Sequence, residues 1–389
     1  MDSAEREGLR PKGNVPNLRF PEFQGEWHSF LINEICSEFK SGKNIKADSI
    51  SENGEYPVFG GNGLRGYTAS YNHEGLYVLI GRQGALCGNV RSVNGKTYIT
   101  EHAIAAAGNE KSDTSFLHYL FIKMNLGQYS DQSAQPGLAV NKLLKLKVLL
   151  PPISEQKKIA KLLSLLDERI STQSKIIDKL QSLIKGLNDF LYTQYGGEVL
   201  TSFAELGTSY SGLSGKSAQD FGSGKPFITY LNVYSNNVIK ENDFQYVAIK
   251  DDEKQNVVKY GDVLFTLSSE TPEEVGVGSV YLGKEKVYLN SFCFGIHITN
   301  TEVAFPPYLS YYVSLTAFRK FIYPYAQGST RFNLCKADFE KASIKLPTLA
   351  DQKRIYSILS HIDNKIITER QMLDLYNSQK QYLLRQMFI

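Results

Sequence analysis

The sequence predicts an α+β protein: two strand-rich, mixed α/β domains in a pseudo-twofold arrangement, joined by two long helices that form an antiparallel coiled coil. Three observations predict this fold. One stretch of the chain occurs twice at a fixed offset, each copy has an apolar heptad pattern, and each copy follows a segment of short β-type runs. The predicted parts are a flexible N-terminal arm at 1–14, a first domain at 15–150, a first long helix at 151–196, a second domain at 197–346 and a second long helix at 347–389.

The repeated stretch is the most regular feature of the sequence. Gln156 and Gln352 lie 196 positions apart, and with that single offset twelve residue pairs are identical without a gap between Pro151 and about Tyr192. A repeat of this period indicates that the two halves of the chain share one plan. The identical pairs are Pro151/Pro347, Gln156/Gln352, Lys157/Lys353, Ile159/Ile355, Leu163/Leu359, Ser164/Ser360, Asp167/Asp363, Ile170/Ile366, Thr172/Thr368, Asp178/Asp374, Ser182/Ser378 and Leu187/Leu383.

Each copy has the periodicity of a long helix that needs a partner. Apolar residues recur in alternating steps of four and three, and a helix of about forty residues extends roughly 60 Å. Pro151 and Pro347 precede the helices, and Thr348 with Asp351 fits a capping box at the second. The predicted core positions of the coiled coil are Ile159, Leu163, Leu166, Ile170, Gln173, Ile177 and Leu180 in the first copy, and Ile355, Leu359, Ile362, Ile366, Glu369, Leu373 and Leu383 in the second.

Two details of the helices lead to further predictions. The polar core positions Gln173 and Glu369 are equivalent in the two copies, so antiparallel pairing is expected to bring them together near the middle and fix the register. A pair of helices buries only the heptad positions, so apolar residues outside those positions need a further packing partner. They pack either against helices of another chain, as in a four-helix arrangement, or against the chain's own domains. These residues are Leu162, Leu165, Ile176, Leu183 and Phe190.

The composition is that of a soluble globular protein. Of the 389 residues, 42% are hydrophobic and 21% charged, and the formal net charge is only +3, so a nucleic-acid surface has to be a local basic patch. The four cysteines are isolated, which predicts free thiols in a reducing cytoplasm and no zinc site. The polar start of the chain is unlike a signal peptide, and no apolar run is long enough to span a membrane, so a cytoplasmic location is expected.

The segments before the two repeated helices contain short β-type runs between glycines and asparagines. In the second segment, strands are predicted at Val233–Ile239 and Phe244–Ile249, and a helical patch at Pro307–Phe321. Between a few shared landmarks the two segments differ, which predicts related domains with separate specificities. The landmarks are Asn33-Glu34-Ile35 with Ala204-Glu205-Leu206, Ser41-Gly42 with Ser211-Gly212, and Gln135 and Asn141 with Gln327 and Asn333.

Glycine-rich loops with polar tips are the candidate binding elements. Arg, Gln, Asn and Ser side chains suit base edges, whereas Lys and glycine backbone amides suit phosphates. Polar glycine loops also join strands in any β-rich protein, so loop composition alone leaves a purely structural interpretation open. The loops are 60–65 and 81–84 in the first domain, and 211–216, 268–271 and 328–331 in the second.

Two motifs suggest an enzyme, and neither has the required context. Phe59–Gly63 fits the F-x-G-x-G loop of methyltransferases, but it neither follows a buried strand nor opens a helix. Pro306-Pro307-Tyr308 matches the end of an amino-methyltransferase motif, but Phe305 stands where that motif needs Asn or Asp. The sequence has no Walker A pattern and no recognisable Ser/His/Asp arrangement, so no residue is predicted to be catalytic.

The helix starts carry a resemblance to a known family. The segments Leu150–Ile159 (LPPISEQKKI) and Leu346–Ile355 (LPTLADQKRI) resemble the L-P-P-x-x-E-Q-x-x-I motif of the specificity subunit (HsdS) of type I restriction–modification systems. The second copy departs mildly, with Thr348 for Pro and Asp351 for Glu, and both keep the chemistry of a helix start. The segments 14–21, 56–63 and 79–84 also resemble that family's target-recognition domains.

The resemblance implies a DNA-specificity subunit without catalysis of its own. Each target-recognition domain would bind half of a bipartite, asymmetric DNA site, and the helix pair would set the gap and dock two HsdM methyltransferase subunits. Two HsdR restriction and translocase subunits would complete the complex. No cofactor or metal is expected on this chain; S-adenosylmethionine, ATP and Mg²⁺ are expected on the partners.

Two alternatives belong to other functional classes: a stand-alone N6-adenine DNA methyltransferase, and a coiled-coil scaffold that does not bind DNA. Residue type and position in the resembling segments select the predicted DNA contacts. They are Lys43, Asn62, Arg65, Arg82, Gln83, Arg91, Lys216, Ser268, Ser269, Thr330, Arg331 and Asn333.

Overall fold

A computed structural model describes residues 13–131 and 136–389. The landmark residue Gln135 and most of the predicted N-terminal arm lie outside this range. Of the residues described, no helix has the length and apolar character needed to cross a membrane. The α-helices of the described residues are α1 (Ile32–Ile35), α2 (Thr114–Met124), α3 (Val140–Leu143), α4 (Ile153–Tyr195), α5 (Phe203–Leu206), α6 (Tyr230–Ser235), α7 (Pro306–Tyr312), α8 (Thr316–Ile322), α9 (Lys336–Lys341) and α10 (Leu349–Gln386).

The chain divides into two compact units, and each long helix contributes one part to each unit. Unit 1 comprises the residues up to Ser174 together with Gln371–Ile389, and unit 2 comprises Lys175–Arg370. Both predicted long helices are present as α4 and α10. The capping box before α10 is also confirmed, because Asp351 N donates to Thr348 Oγ1 at 3.2 Å and Thr348 Oγ1 donates to the Asp351 carboxylate at 2.6 Å.

Unit 1 contains two four-stranded sheets and one small sheet. One sheet has the order β2-β9-β6-β7 and is antiparallel throughout; the other has the order β4-β3-β8-β5, with β3 and β8 parallel. The small sheet pairs β1 with β10 and brings both ends of the domain together next to the start of α4. The strands are β1 (His28–Leu31), β2 (Cys36–Ser41), β3 (Tyr56–Gly60), β4 (Gly63–Thr68), β5 (His73–Glu74), β6 (Tyr77–Gly81), β7 (Val90–Val93), β8 (Lys96–Ile99), β9 (Ala103–Gly108) and β10 (Lys147–Leu150).

Unit 2 repeats the main four-stranded sheet of unit 1 and differs in its smaller sheets. Its four-stranded sheet has the order β12-β19-β15-β17, and a three-stranded sheet has the order β14-β13-β18 with β13 and β18 parallel. Two further sheets pair β11 with β22 and place β21 between β16 and β20. The strands are β11 (Val199–Thr201), β12 (Gly207–Ser211), β13 (Phe221–Ile228), β14 (Gln245–Val247), β15 (Val263–Thr266), β16 (Ser268–Ser269), β17 (Gly278–Val280), β18 (Tyr288–Leu289), β19 (Cys293–Ile298), β20 (Ala326–Gln327), β21 (Phe332–Leu334) and β22 (Ile344–Leu346). The predicted fold class, two related strand-rich domains with two long helices, is confirmed.

Two local predictions are wrong. Val233–Ile239 was expected to be a strand, but the helix α6 occupies its first part because the Thr229 side chain caps Asn232 N at 3.1 Å. The landmark pairing of Asn141 with Asn333 also fails, since Asn141 lies in α3 and Asn333 in β21. The identical residue types and spacing of this landmark are therefore a coincidence, and the two asparagines are not structurally equivalent.

The long helices pack antiparallel inside each unit. In unit 1 the early part of α4 meets the end of α10, where Lys380 forms an ion pair with Asp167 at 2.5 Å. In unit 2 the end of α4 meets the start of α10, where the Arg354 guanidinium lies 5.5 Å from the Tyr195 ring centre. Most predicted core positions are buried and the rest are partly buried; the buried ones are Ile159, Leu163, Leu166, Gln173, Ile177, Ile355, Leu359, Ile366 and Leu383. Gln173 belongs to unit 1 and Glu369 to unit 2, and their predicted contact stays a prediction.

The glutamines of the repeat attach each helix start to its domain. Gln156 Oε1 accepts from Asp113 N at 2.9 Å, and its amide nitrogen donates to the carbonyls of Lys111 and Pro151, both at 2.9 Å. Gln352 is used in the same way in unit 2: its Oε1 accepts from Phe305 N at 2.8 Å, and its amide nitrogen donates to carbonyls at 2.7 and 2.9 Å. Because both side chains are fully buried, these bonds compensate the desolvation of the amides.

A second repeated contact involves an aspartate that follows the repeat glutamine on each long helix. The Tyr119 hydroxyl donates to the Asp167 carboxylate at 2.9 Å in unit 1, and the Tyr311 hydroxyl donates to the Asp363 carboxylate in unit 2. Asp167 and Asp363 are an identical pair of the repeat, so these residues also hold each domain on its own helix start.

Most apolar residues outside the heptad positions are exposed. Leu162 packs against the core of unit 1. Leu165, Ile176, Leu183 and Phe190 are exposed, so the chain's own domains do not cover them. The helix α10 carries a similar set, Ile358, Ile367, Met372, Leu375 and Tyr382.

Candidate nucleic-acid interface

The two predicted loops of unit 1, 60–65 and 81–84, lie together with the segment after β2 and the loop after β8. Lys43 N, just after β2, donates to Ile99 O at 3.0 Å, and Arg82 N donates to His102 O at 2.9 Å. A methyl group on Gly61 would lie 2.6 Å from His102 O, so only glycine permits this approach of the two loops. The backbone therefore fixes one cluster of loop tips.

The β3–β4 hairpin places Asn62 at its tip. Gly60 pairs with Gly63, which leaves residues 61 and 62 as the turn, and Gly63 has a φ of +110° that other residues rarely adopt. The Arg65 and Arg91 side chains lie against this turn: a methyl on Gly60 would be 2.9 Å from Arg65 Cδ, and one on Gly63 would be 3.2 Å from Arg91 Nη1. The Arg65 side chain and the Arg91 guanidinium thus lie beside the two glycines at either end of this turn.

The predicted residues of unit 1 form a basic, accessible group. Lys43, Asn62, Arg65, Gln83 and Arg91 are exposed, and Arg82 is partly exposed. Among the described residues of unit 1, the lysines and arginines that form ion pairs are others: Arg19, Lys40, Lys142, Lys158 and Lys380. The cations of this cluster consequently add to a local positive potential although the whole chain is almost neutral.

Unit 2 holds its loops with the same backbone hydrogen bonds. Leu213 N donates to Leu289 O at 2.7 Å, as Lys43 N does to Ile99 O, and Leu334 N donates to Leu267 O at 2.8 Å, as Leu138 N does to Arg82 O. Arg82 and Leu267 are therefore equivalent positions, and the loop after β6 corresponds to the one after β15. The two units thus share the backbone hydrogen bonds that hold the loops but differ in the side chains that the loops carry.

The six predicted residues of unit 2 fall into two groups. Thr330, Arg331 and Asn333 are exposed, at or near β21. Ser269 and Lys216 form side-chain hydrogen bonds within the domain, and Ser268 is buried there. Ser268 and Ser269 are buried in β16, with Ser268 opposite Asn333.

The internal contacts of the second group are hydrogen bonds to acidic or carbonyl oxygens. Ser269 Oγ donates to Glu274 Oε2 at 3.0 Å, and Lys216 Nζ donates to Glu253 Oε2 at 2.5 Å and to Ala248 O at 2.6 Å. The hydrogen bond from Lys216 lowers the pKa of Glu253, and hydrogen bonds from Tyr234 and Ser269 lower that of Glu274. These side chains thus support the loops from within.

Two exposed residues of the loop clusters were missed by the sequence analysis. His102 lies with its imidazole 3.2 Å from Gln83 Oε1, and Phe292, in the equivalent loop of unit 2, has its ring 5.9 Å from the Arg331 guanidinium. A cleft of about 480 Å³ lies beside Phe292 and includes Phe221, Gln245 and Asn290. Neither position belongs to a recognisable loop motif. The feature that could have identified them is that each directly precedes a strand, β9 or β19.

The loop clusters present groups that suit binding, and burial controls the reactivity of two thiols of unit 1. Burial raises the pKa of Cys36 to about 12 and also raises the pKa of Cys87, so neither thiol is an activated nucleophile. Within residues 13–131 and 136–389, no group of three or more His, Cys, Asp or Glu side chains is placed to hold a metal ion. What the loops do present is guanidinium, amide and hydroxyl groups on a rigid frame.

Both halves of the chain match one known protein family. The model of the type I restriction modification DNA specificity domain matches residues 24–182 and 207–375, one copy in each half of the chain. By class, the molecule is thus a DNA-specificity protein with duplicated recognition domains on long helices. The chain belongs to the HsdS family, the specificity subunits of type I restriction–modification systems.

The relatives and solved structures agree with this assignment. The chain is 43% identical over 154 residues to the type I restriction enzyme EcoprrI specificity subunit of Escherichia coli, a match that spans 39% of this chain and 38% of that subunit. It is 24% identical to a type I restriction enzyme specificity subunit of Haemophilus influenzae, over 92% of this chain and 93% of the relative.

Two solved structures show the fold. The S subunit of the type I restriction–modification system from M. genitalium superposes with a TM-score of 0.62 at 14% identity, over 96% of this chain and 99% of that one. A chain from a study of complex assembly and conformational transition of the type I R-M system gives a TM-score of 0.57 at 16% identity, over 93% and 97% of the two chains.

Proposed function

We propose that this chain selects the DNA sequence for a type I restriction–modification complex, with each recognition domain binding one half of a bipartite, asymmetric site. One observation carries the proposal: the two domains share the strand order of one four-stranded sheet and the loop hydrogen bonds but present different side chains at the loop tips. A shared backbone with different loop side chains suits two different half-sites on one duplex, because a protein distinguishes bases by the side chains that contact their edges.

The proposed contact surface of domain 1 is the loop cluster around Asn62. Arg65 and Arg91 suit guanine edges or phosphates, and Asn62 and Gln83 suit adenine edges. In domain 2 the proposed contacts are Thr330, Arg331 and Asn333, whereas Lys216, Ser268 and Ser269 support the loops.

The long helices supply the proposed docking surface for the partners. The exposed apolar residues of α4 and α10 lie along helices that already use their heptad positions inside the units, so a second set of helices is needed to cover them. We assign this role to two HsdM methyltransferase subunits, which would bind S-adenosylmethionine. Two HsdR subunits would bring ATP- and Mg²⁺-dependent activity, and this chain would provide the sequence preference without catalysis.

The decisive experiment is genome-wide mapping of N6-methyladenine in cells that express this chain with a matching methyltransferase subunit, compared with cells that lack it. A new bipartite motif with a fixed gap is expected. Replacing Arg65 and Arg91 by Ala should abolish or relax one half of the motif, at about 1–3 kcal/mol for each base-contacting arginine. Lys145→Ala, which changes an exposed cation outside the loop cluster, is the matched control.

Other outcomes would favour the alternative functions. Methyl transfer by the purified chain alone would establish a stand-alone methyltransferase. A complex that assembles but methylates no defined motif would favour a scaffold. Failure of the chain to bind any methyltransferase subunit would overturn both the docking proposal and the specificity role.

A further inference from the structure

Phe292 occupies the same place in unit 2 that His102 occupies in unit 1. Both residues end a three-residue loop that connects the parallel strand pair to the next strand of the four-stranded sheet. In both loops the carbonyl of this last residue accepts a hydrogen bond from the loop after β6 or β15. The matching bonds are Arg82 N to His102 O and Leu267 N to Phe292 O (both 2.9 Å), Ala103 N to Thr100 O and Cys293 N to Asn290 O (both 3.0 Å), and Thr100 N to Phe59 O (2.9 Å) and Asn290 N to Ile228 O (3.0 Å).

The backbone of Phe292 is fixed while its side chain faces solvent. Its N–H donates to Asn290 Oδ1 at 2.9 Å and its carbonyl is held by Leu267, yet 56% of the residue is exposed. A phenyl ring held in water by a rigid loop gains free energy only when a ligand covers it. The Arg331 guanidinium stands 5.9 Å from the ring centre, so a strong hydrogen-bond donor lies beside the apolar surface.

The major groove of DNA offers one apolar group to such a ring, the C5-methyl of thymine. Building on the proposed function, we propose that Phe292 is a specificity-determining residue that contacts a thymine methyl in the half-site bound by domain 2. Arg331 beside it would bind a neighbouring guanine or phosphate. His102 gives domain 1 a polar side chain at the equivalent position, so domain 1 lacks this methyl contact.

Uracil tests the contact, because it differs from thymine only by the missing methyl group. The complex of this chain with its methyltransferase subunits is titrated with duplexes of the mapped motif in which thymines are replaced by uracil one at a time. One replacement is expected to weaken binding about fourfold, the value of one buried methylene-sized group at room temperature. The Phe292→Ala complex should bind the thymine and uracil duplexes equally.

Two variants serve as matched controls. His102→Ala changes the equivalent position of the other domain, and Tyr246→Ala removes an exposed aromatic ring elsewhere in unit 2. Complexes with either variant should keep the fourfold preference for thymine. Because all three side chains are exposed, the melting temperature of each complex should equal that of the unaltered complex.

The inference is overturned if every uracil duplex binds the unaltered complex as well as thymine does, or if Phe292→Ala keeps the thymine preference. A uniform loss of affinity by Phe292→Ala on all duplexes would instead identify a stacking role without base preference, which also overturns it. Failure of the proposed function is distinct, since the unaltered complex would then show no preference for the mapped motif at all.

Discussion

Single buried amides attach the domains to the helices. Gln156 and Gln352 each bond to one domain N–H and to two carbonyls, and both lie at 0% exposure. The sequence shows these residues as an identical pair of the repeat but does not show why a glutamine stands there. The structure supplies the reason: a donor and an acceptor are needed together where the chain turns from a domain into a helix.

Replacing Gln156 by Ala should destabilise unit 1 by about 1–3 kcal/mol, since Asp113 N and two carbonyls would lose a buried partner. Trp27, the only tryptophan, is buried in unit 1, so its fluorescence during denaturant unfolding reports this unit. The midpoint of the fluorescence transition should fall. Lys157→Ala, which changes the exposed residue next to Gln156 in the same unit, should leave it unchanged, and an equal midpoint for both variants would refute the attachment role.

His118 should make unit 1 sensitive to acid. Burial, followed by the charge of Lys380, lowers the pKa of His118 to about 4, whereas an unfolded histidine titrates near pH 6.5. Between these values the unfolded state binds the additional proton, so stability is full above about pH 6.5 and falls as the pH drops toward 4, by up to about 1.4 kcal/mol per pH unit.

The Trp27 unfolding transition at pH 7 and pH 5 measures this effect. In His118→Asn the loss of stability between the two pH values should be smaller than in the unaltered chain. His28→Asn removes an exposed histidine of the same unit and should leave the pH dependence as it was. An identical pH dependence in all three proteins would contradict the role of His118.

At the scale of elements, long-range periodicity was predictable and short elements were not. The heptad pattern predicts α4 and α10 because many residues agree on one helical face. Val233 and its neighbours have β-type side chains, yet the Thr229 cap and the buried Asn232 make the segment helical. In the candidate site, the glycines and arginines of 60–65 and 81–84 revealed the loops. Phe292 was missed because an isolated phenylalanine is ordinarily a core residue and only the fold shows that it is exposed.

The exposed apolar side of α4 leads to a prediction about assembly. Leu183 and Phe190 are 52% and 57% exposed, so changing both to Ser should cost the isolated chain little stability. Binding of the methyltransferase subunit should weaken strongly, since two apolar anchors of about 1.5–3 kcal/mol each would be lost. Co-purification and titration calorimetry measure the effect.

The matched control for this prediction is the exposed polar pair Gln181 and Gln194 of the same helix, changed to Ser. Assembly by the control and failure by the Leu183/Phe190 variant would support docking on the apolar side. Unimpaired assembly by both would show that the partner binds elsewhere.

For the molecule as a whole, the low net charge and the duplicated domains bear on the same property, the affinity for DNA. A net charge of +3 gives weak attraction to DNA in general, while exposed cations gather on the loop cluster of domain 1. Such a chain is expected to depend on correct base contacts, because fewer phosphate contacts mean less nonspecific affinity and a shallower dependence on salt. Under the proposed function, the two domains each bind one half-site modestly, and the two interactions combine as those of linked binding modules do.

The continuous helices suggest that the gap between the half-sites is set by helix length. Deleting one heptad from both helices, Ile170–Ile176 together with Ile366–Met372, removes two helical turns, about 10 Å of each helix, and restores the heptad register. The two half-sites should stay the same, and the gap should shorten by about three base pairs at roughly 3.4 Å each. Mapping of N6-methyladenine reads out both quantities in one experiment. The control is a deletion of seven residues from the start of the chain, 2–8, which should leave the motif and its gap intact. An unchanged gap in the heptad deletion would show that the helices do not measure the distance and that the spacing is determined within the recognition domains or by the partner subunits.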